Sequence, residues 1–120
     1  MSTSDIGFLA EKIVAEHLSS KGYLILDKNW RRKWGELDIV ASKAGAVVFV
    51  EVKANKSASN FAPELRAGTE KLQKVFRTAR TWLAYRKYPP EQEWQIDIVS
   101  VTFDKGRGVA NIKHFKNVEV

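Results

Sequence analysis

Two aliphatic, strand-like segments that carry charged residues place the strongest constraint on how this chain folds. Residues 37–41 and 46–52 are rich in β-branched and aliphatic side chains, and residues 42–45 between them predict a tight turn. An antiparallel hairpin about that turn would place Asp38 opposite or nearly opposite Glu51. The hairpin is therefore predicted to bring two carboxylates together across neighbouring strands.

The same hairpin collects further charge. Side chains two residues apart in a strand share a face, so Glu36 accompanies Asp38 and Lys53 accompanies Glu51. Three carboxylates and one ammonium are thus expected at one end of an apolar sheet. Carboxylates that face each other repel, and a divalent cation held by oxygen ligands would offset that cost, with Lys53 offsetting part of it.

The alternative is an ordinary solvent-exposed ladder of charges. Residues 47–50 supply apolar side chains to both faces, which favours a strand covered on both sides. Buried carboxylates seldom occur unpaired, and here they occur as a cluster. These patterns favour a functional site over a solvated face.

These residues resemble a known nuclease signature. Asp38, followed by Glu51, Val52 and Lys53 after a short hairpin, is similar to the PD-(D/E)xK motif. The wider pattern resembles the bacterial YraN-like family of uncharacterised proteins, related to archaeal Holliday-junction resolvases. It runs from about Gly7 to Val101 and comprises Gly7, Glu11, Ala15, Asn29, Arg31, residues 35–40 and 48–53, Lys71, Ala79, Leu83 and residues 97–99.

The resemblance implies a fold and a catalytic set. The fold is α/β and restriction-endonuclease-like, with a central mixed β-sheet flanked by α-helices. The implied catalytic residues are Glu11, Asp38, Glu51 and Lys53. Many relatives carry arginine two residues after the lysine, where this chain has Asn55, so a phosphate contact there is in doubt.

The charges predict how a metal would be held. Asp38, Glu51 and the Val52 backbone carbonyl would coordinate Mg²⁺ or Mn²⁺, and Glu11 would bind through water or support a second ion. Glu36 would support the site from its edge. Lys53 would orient the attacking water or stabilise the transition state, and would serve as a general base only with a lowered pKa.

Composition limits the class of protein. The 120 residues predict a single domain, residues 1–120, and a net charge of +6 favours polyanionic partners. The absence of cysteine excludes disulfides and cysteine-based zinc sites. No signal peptide is evident, and the longest apolar run, 46–50, is far too short to cross a bilayer. We expect a cytoplasmic protein without membrane contact.

A first helix is predicted over residues 4–19, with Ser4 or Asp5 as its cap. Glu11 lies at the border of its apolar stripe, where an ordinary surface glutamate and a site residue are both compatible with the spacing. His17 lies within the apolar arc and is expected to be a packed histidine. The stripe consists of Ile6, Leu9, Ala10, Ile13, Val14 and Leu18.

Residues 29–34 predict a nucleic-acid-binding loop. Three cations, Arg31, Arg32 and Lys33, lie between two tryptophans, of which Trp34 leads towards the acidic segment. Such a loop can hold phosphates with its cations and stack its indoles on bases. The alternative is that one or both tryptophans cover the edge of the core.

A second helix is predicted over residues 70–85, with Leu72, Val75, Phe76, Ala79 and Leu83 as its buried stripe. Cations step round its exposed side at intervals of three: Lys71, Lys74, Arg77 and Arg80. Such a run is usually a solvated face, but no acids balance it here. Lys71, which borders the stripe, is the best auxiliary candidate, and Lys74 is predicted to join it in binding nucleic acid.

Two remaining regions complete the chain. Residues 54–69 predict either a functional loop that closes over bound nucleic acid or an excursion with no role. Residues 94–103 and 109–115 predict a β-hairpin. Asp97 is the other acid within an apolar strand, and the family resemblance favours a structural role, paired with a basic residue, over the alternative of a metal ligand.

The predicted function is metal-dependent hydrolysis of phosphodiesters in nucleic acid, with branched DNA as a candidate substrate. The alternative is a non-catalytic nucleic-acid-binding protein that retains the nuclease fold. A basic protein-interaction module is a third reading, which leaves the acidic cluster unexplained. DNA and RNA are not distinguished. A resolvase normally cuts as a symmetric dimer, so a homodimer is an open alternative.

Overall fold

Five strands and two helices form the part of the chain that the structure describes. The computed structural model describes residues 3–55, 69–104 and 108–119. Its elements are α1 (Thr3–Ser20), β1 (Leu24–Arg32), β2 (Gly35–Lys43), β3 (Ala46–Asn55), α2 (Thr69–Tyr85), β4 (Trp94–Asp104) and β5 (Gly108–Phe115). The strands form one sheet in the order β1-β2-β3-β4-β5. β3 and β4 pair in parallel and the other neighbours are antiparallel, so the predicted mixed α/β architecture is confirmed.

The two helices cover opposite faces of the sheet. The parallel pairing of β3 with β4 requires a crossover, and α2 lies in it. Val48 and Val50 pack in a core cluster with α1, whereas Val47 and Phe49 pack in a second cluster with α2. The prediction that β3 is covered on both sides is therefore confirmed.

The β2–β3 hairpin is tighter than the predicted four-residue connection. Only Ala44 and Gly45 link the strands, and both have positive φ, 51° and 85°. Two consecutive left-handed residues are what a type I′ turn requires, and this turn matches the twist of the flanking strands. The resulting register pairs Ile39 with Val50, and the pairing ends there, next to Asp38 and Glu51.

The prediction of a loop over residues 29–34 is wrong. β1 continues to Arg32, and only Lys33 and Trp34 form the turn into β2. Trp30 is buried against α2, whereas the Trp34 residue is 54% exposed. Pairing with β2 imposes a strand on a polar, cationic segment that local composition favours as a loop. One of the two tryptophans thus covers the core edge.

The other predicted elements lie close to their expected bounds. α1 begins at Thr3, so Ser4 and Asp5 lie in its first turn and the predicted cap is wrong. The second helix and the final hairpin agree with the prediction within about one residue. Residues 56–68, most of the predicted closing loop, lie outside the described residues. Within the described ranges, neither helix is long and apolar enough to span a membrane.

Candidate active site

A pocket of about 300 Å³ opens between α2 and the adjoining ends of β2 and β3. Predicted site residues from all three elements line it, whereas Glu11 and Lys53 are not part of its lining. Its lining consists of Gly35, Glu36, Asp38, Glu51, Val52, Lys71, Lys74, Val75 and Thr78.

The pocket forms where the pairing between β2 and β3 ends. The last paired residues are Ile39 and Val50, and beyond them the Val52 N–H donates to Asp38 Oδ2 at 2.8 Å. A side-chain carboxylate therefore replaces a backbone carbonyl as the partner of this N–H. Leu37 packs in the α2-side cluster whereas Ile39 packs in the α1-side cluster, so the alternation of faces is interrupted at Asp38.

Asp38, which is partly buried, and Glu51, which is buried, form a carboxylate pair. The Glu51 residue is 7% exposed. Burial and then the charge of Asp38 raise the pKa of Glu51 to about 7, against the opposing effect of Lys71 and Lys53. Burial also raises the pKa of Asp38, and the hydrogen bond from the Val52 N–H acts against that rise. Both shifts favour the protonated form, because two negative charges are confined in one poorly solvated place.

Two lysines accompany this pair. Lys53 is partly buried at the end of β3 and interacts with Lys71 from α2. Burial and then Lys71 lower the pKa of Lys53, while Glu51 and Asp38 act to raise it. Two carboxylates and two amines therefore interact at the end of the hairpin, and the pKa values of Asp38, Glu51 and Lys53 each shift towards the neutral form.

Glu11 reaches the neighbourhood from α1. With the Asn29 amide nitrogen turned towards α1, it donates to both Glu11 carboxylate oxygens, at 3.0 and 3.2 Å. Burial and then the charge of Asp38 raise the pKa of Glu11, whereas the Asn29 hydrogen bond lowers it. Glu11 is thus electrostatically coupled to Asp38, and its position at the border of the buried face is confirmed.

Glu36 lines the edge of the pocket, as expected, but its side chain is 57% exposed and pairs with Arg31 Nε at 3.2 Å. Across residues 3–55, 69–104 and 108–119, no group of three or more His, Cys, Asp or Glu side chains is arranged to hold a metal ion. The three-carboxylate cluster expected from strand alternation is therefore reduced to the pair of Asp38 and Glu51.

The predicted nucleic-acid contacts fall into two groups. Lys71 and Lys74 line the pocket itself. Arg31 pairs with Glu36, and the Arg32 guanidinium lies 3.9 Å from the centre of the Trp30 ring. The two turn residues, Lys33 and Trp34, are exposed. Part of the predicted cationic segment is thus committed to internal contacts, and its role in binding stays a prediction.

Three other residues singled out in the sequence have structural partners. Asp97 is fully buried and lies 2.7 Å from His114 Nε2, which agrees with its expected pairing to a basic residue. Asn55 Nδ2 donates to Ser100 Oγ at 2.8 Å. His17 is partly buried, and burial lowers its pKa, as expected for a packed histidine.

Comparison with known proteins identifies the family. The model of "Uncharacterised protein family UPF0102" matches residues 10–101. The chain belongs to this family. UPF0102 relatives include proteins from Corynebacterium efficiens (36% identical, covering 95% of this chain and 91% of the relative) and Fervidobacterium nodosum (35%, covering 92% and 78%). The predicted membership of the YraN-like proteins, which are the UPF0102 family, is therefore confirmed.

Among solved structures, the UPF0102 chain is similar to a FdxN element excision controlling factor protein from Anabaena variabilis. The TM-score is 0.36 with 14% sequence identity, covering 86% of this chain and 96% of that one. A TM-score this low supports no conclusion about the fold or the function of the UPF0102 chain.

Sequence reasoning missed three residues that line the pocket of this UPF0102 protein: Gly35, Val75 and Thr78. Helical spacing carries a signal for two of them, because Lys71, Val75 and Thr78 follow one another at intervals of four and three on one face of α2. Gly35 carries none, since its importance depends on how closely α2 approaches β2.

Gly35→Ala is expected to destabilise the UPF0102 fold by about 1–3 kcal/mol. An added Cβ would collide with Thr78 Oγ1, which is fixed by donating to the Lys74 carbonyl at 2.7 Å. Denaturant unfolding measures the loss in the free energy of unfolding, and adding Thr78→Ala should restore part of that free energy. Gly7→Ala is the control, because a Cβ at this position would meet nothing within 4 Å. This substitution should stabilise α1 by about 0.5–1 kcal/mol, since alanine favours the helix over glycine. Unchanged stability in Gly35→Ala would contradict the close approach of α2 to β2.

Glu51→Gln is expected to stabilise the metal-free UPF0102 protein, and only at higher pH. The pKa of Glu51 is about 7 in the fold against an ordinary value of 4.5 for glutamate, so between these values the folded state holds the extra proton. Folding stability therefore falls as pH rises through this window, by about 2–3 kcal/mol, and glutamine removes that loss. In the presence of a chelator, the melting temperature of Glu51→Gln should be higher than that of wild type at pH 8 and equal to it near pH 4.5.

The control for that comparison is Glu16→Gln, which removes a carboxylate from the exposed side of α1. It should follow the wild-type pH profile. A Glu51→Gln protein that is less stable than wild type at pH 8 would show that the lysines outweigh burial and Asp38 around this carboxyl.

Proposed function

We propose that this protein is a metal-dependent nuclease with a restriction-endonuclease-like fold and a PD-(D/E)xK site. The observation that carries the proposal is the carboxylate pair of Asp38 and Glu51, which interacts with Lys53 and Lys71 in and beside one pocket. Paired carboxylates that flank a cation site, together with an amine beside the scissile phosphate, are the groups that phosphodiester hydrolysis requires.

The residues present fit a hard divalent cation. Asp38 and Glu51 both have raised pKa values because their charges are buried together, and a cation between them would offset that repulsion. The Val52 carbonyl points to the same side of β3 as its N–H, which meets Asp38. Mg²⁺ usually retains several waters and is bound through one or two carboxylates, so a three-carboxylate group is not required. Glu11 would act through water.

When bound, Mg²⁺ or Mn²⁺ would lower the pKa of a coordinated water and neutralise charge on the phosphate. The chain supplies the remaining functions. Lys71 and Lys74 would hold the phosphodiester against the negative charge of Asp38 and Glu51. Lys53, whose pKa is lowered, would orient the attacking water or take up its proton. Glu36 would hold Arg31 at the rim.

The second candidate function is nucleic-acid binding without cleavage. It is favoured by the internal contacts of Glu11 and Glu36, which are held by Asn29 and Arg31, and by the lack of a three-carboxylate group in the described ranges. In this reading the pocket lysines and the exposed turn residues bind phosphates, and Asp38 serves the fold by accepting the Val52 N–H.

A panel of end-labelled linear, branched and single-stranded DNA and RNA, incubated with Mg²⁺ or Mn²⁺, tests the proposal. We expect cleavage of at least one substrate with either metal and none in a chelator. Mn²⁺ should also raise the melting temperature at pH 8, because a ligand that binds only the folded state stabilises it. Salt-sensitive binding without cleavage or metal-dependent stabilisation would favour the second candidate.

A further inference from the structure

A larger cleft, of about 580 Å³, lies on the other flank of α2. It forms where this helix meets the segment that follows β5. Phe76 and Val118 supply apolar surface to it, and both pack against the α2-side core. Arg77 and Arg80 line the same cleft. A concave surface that combines apolar side chains with two guanidiniums suits a ligand that has both flat apolar and anionic parts.

Four cations connect this cleft with the candidate active site. Lys71 and Lys74 line the site pocket, and Arg77 and Arg80 line the cleft. Residues three apart on an α-helix differ by about 60° in direction, so the series turns by about 180° from first to last while rising about 14 Å. All four residues are exposed, and the series starts at Lys71, beside the buried Val75, and moves away from the buried face towards Arg77 and Arg80. The series therefore crosses the solvent face of the helix.

Acids lie near this series, since Glu119 lines the cleft and Asp38 and Glu51 line the pocket, but three of the four cations form no ion pair within the described ranges. Within the parts of the chain that the structure describes, the ion pairs are those of Arg31 with Glu36, Arg86 with Asp27 and His114 with Asp97. Lys74, Arg77 and Arg80 take part in none of them. A row of cations that lack ion pairs, on one face of a helix, creates a local positive potential that attracts a polyanion.

From this arrangement we propose that a single-stranded segment of nucleic acid leaves the pocket, crosses the outer face of α2 and enters the cleft. Its phosphates would contact Lys74, Arg77 and Arg80, and a base would pack on Phe76. A duplex is too stiff to turn round a helix about 10 Å wide, since its persistence length is about 150 base pairs. This inference rests on the proposed function and specifies its substrate class: nucleic acid with a single-stranded arm.

Equilibrium binding in a chelator, which prevents metal-dependent cleavage, tests the path. The probes are a fluorescent blunt DNA duplex and the same duplex with a single-stranded arm of roughly 12 nucleotides. For wild type we expect the arm to tighten binding about tenfold. Arg77→Gln/Arg80→Gln should abolish that gain, leave blunt-duplex binding unchanged, and reduce the salt dependence of armed-probe binding by about 1.4 in log–log slope.

The matched control is Lys12→Gln/Lys28→Gln, which removes the same charge from exposed positions on α1 and β1. This variant should still bind the armed probe about tenfold more tightly than the blunt duplex. If both double variants lose the same amount of arm-dependent affinity, the proposed path is wrong and the loss reflects net charge alone. An arm that adds nothing to wild-type binding would also overturn it, while cleavage of duplex substrates would still uphold the nuclease. If wild type binds neither probe and cuts nothing, the proposed function itself fails.

Discussion

Asp38→Asn is expected to lower the rate of metal-dependent phosphodiester cleavage by about 10²–10³ while the fold is retained. Asparagine has nearly the same shape as aspartate, and its side-chain oxygen can still accept the Val52 N–H that Asp38 accepts at 2.8 Å. The negative charge, however, is lost from the pair with Glu51. The substitution therefore separates the electrostatic role of this residue from its structural role.

Three measurements distinguish these roles. Single-turnover cleavage reports the chemistry, and the shift in melting temperature on adding Mn²⁺ reports the metal site. Both should be lost in Asp38→Asn. Titration of Glu51 by NMR should show a lower pKa than in wild type, because the charge of Asp38 is one of the causes that raise it. Glu16→Gln, on the exposed side of α1, should leave all three unchanged.

Asp38→Ala completes the comparison. Alanine removes the charge and also leaves the Val52 N–H without its acceptor, which costs about 1–3 kcal/mol for a buried donor. Relief of the repulsion with Glu51 acts in the opposite direction. Cleavage by Asp38→Asn at the wild-type rate would refute the catalytic assignment of Asp38, whatever the stability of Asp38→Ala.

The hairpin that carries Asp38 and Glu51 was predictable because its determinants are local. A two-residue side-chain period and a turn that contains Gly45 fix the register as far as Ile39 and Val50, and Asp38 and Glu51 are the next residues along the two strands. The apolar residues on both faces of β3 likewise predicted helices on both sides. These features depend only on residues close together in the sequence.

The partners of the site residues were not predictable, because they are set by packing between distant segments. Asn29 has a positive φ of 53° within β1 and reaches Glu11 on α1. Sequence spacing contains no information about that contact. Trp82 is fully buried in α2, and its indole N–H donates to Asp27 Oδ2 at 3.1 Å. Helical periodicity predicts which face of a helix a residue lies on, but it does not identify a hydrogen-bond partner in a distant segment.

Asp97→Ala is expected to destabilise the protein by about 3–5 kcal/mol. This buried carboxylate accepts hydrogen bonds from Gln95 Nε2 and the Asn117 N–H, both at 2.8 Å, and lies 2.7 Å from His114 Nε2. Alanine would leave all three groups without this acceptor. Chemical unfolding of Asp97→Ala, His114→Ala and the double variant should reveal a double-mutant coupling between the two side chains.

The same substitution should loosen the segment that follows β5. Asp97 holds the Asn117 N–H, and the next amide, that of Val118, donates to the Ile96 carbonyl at 2.8 Å. Hydrogen exchange at Asn117 and Val118 should therefore be faster in Asp97→Ala than in Glu91→Ala, a control at an exposed turn. Because both residues also line the cleft beside α2, binding of an armed duplex should weaken together with this protection. Wild-type stability and exchange in Asp97→Ala would show that Asp97 does not anchor this segment.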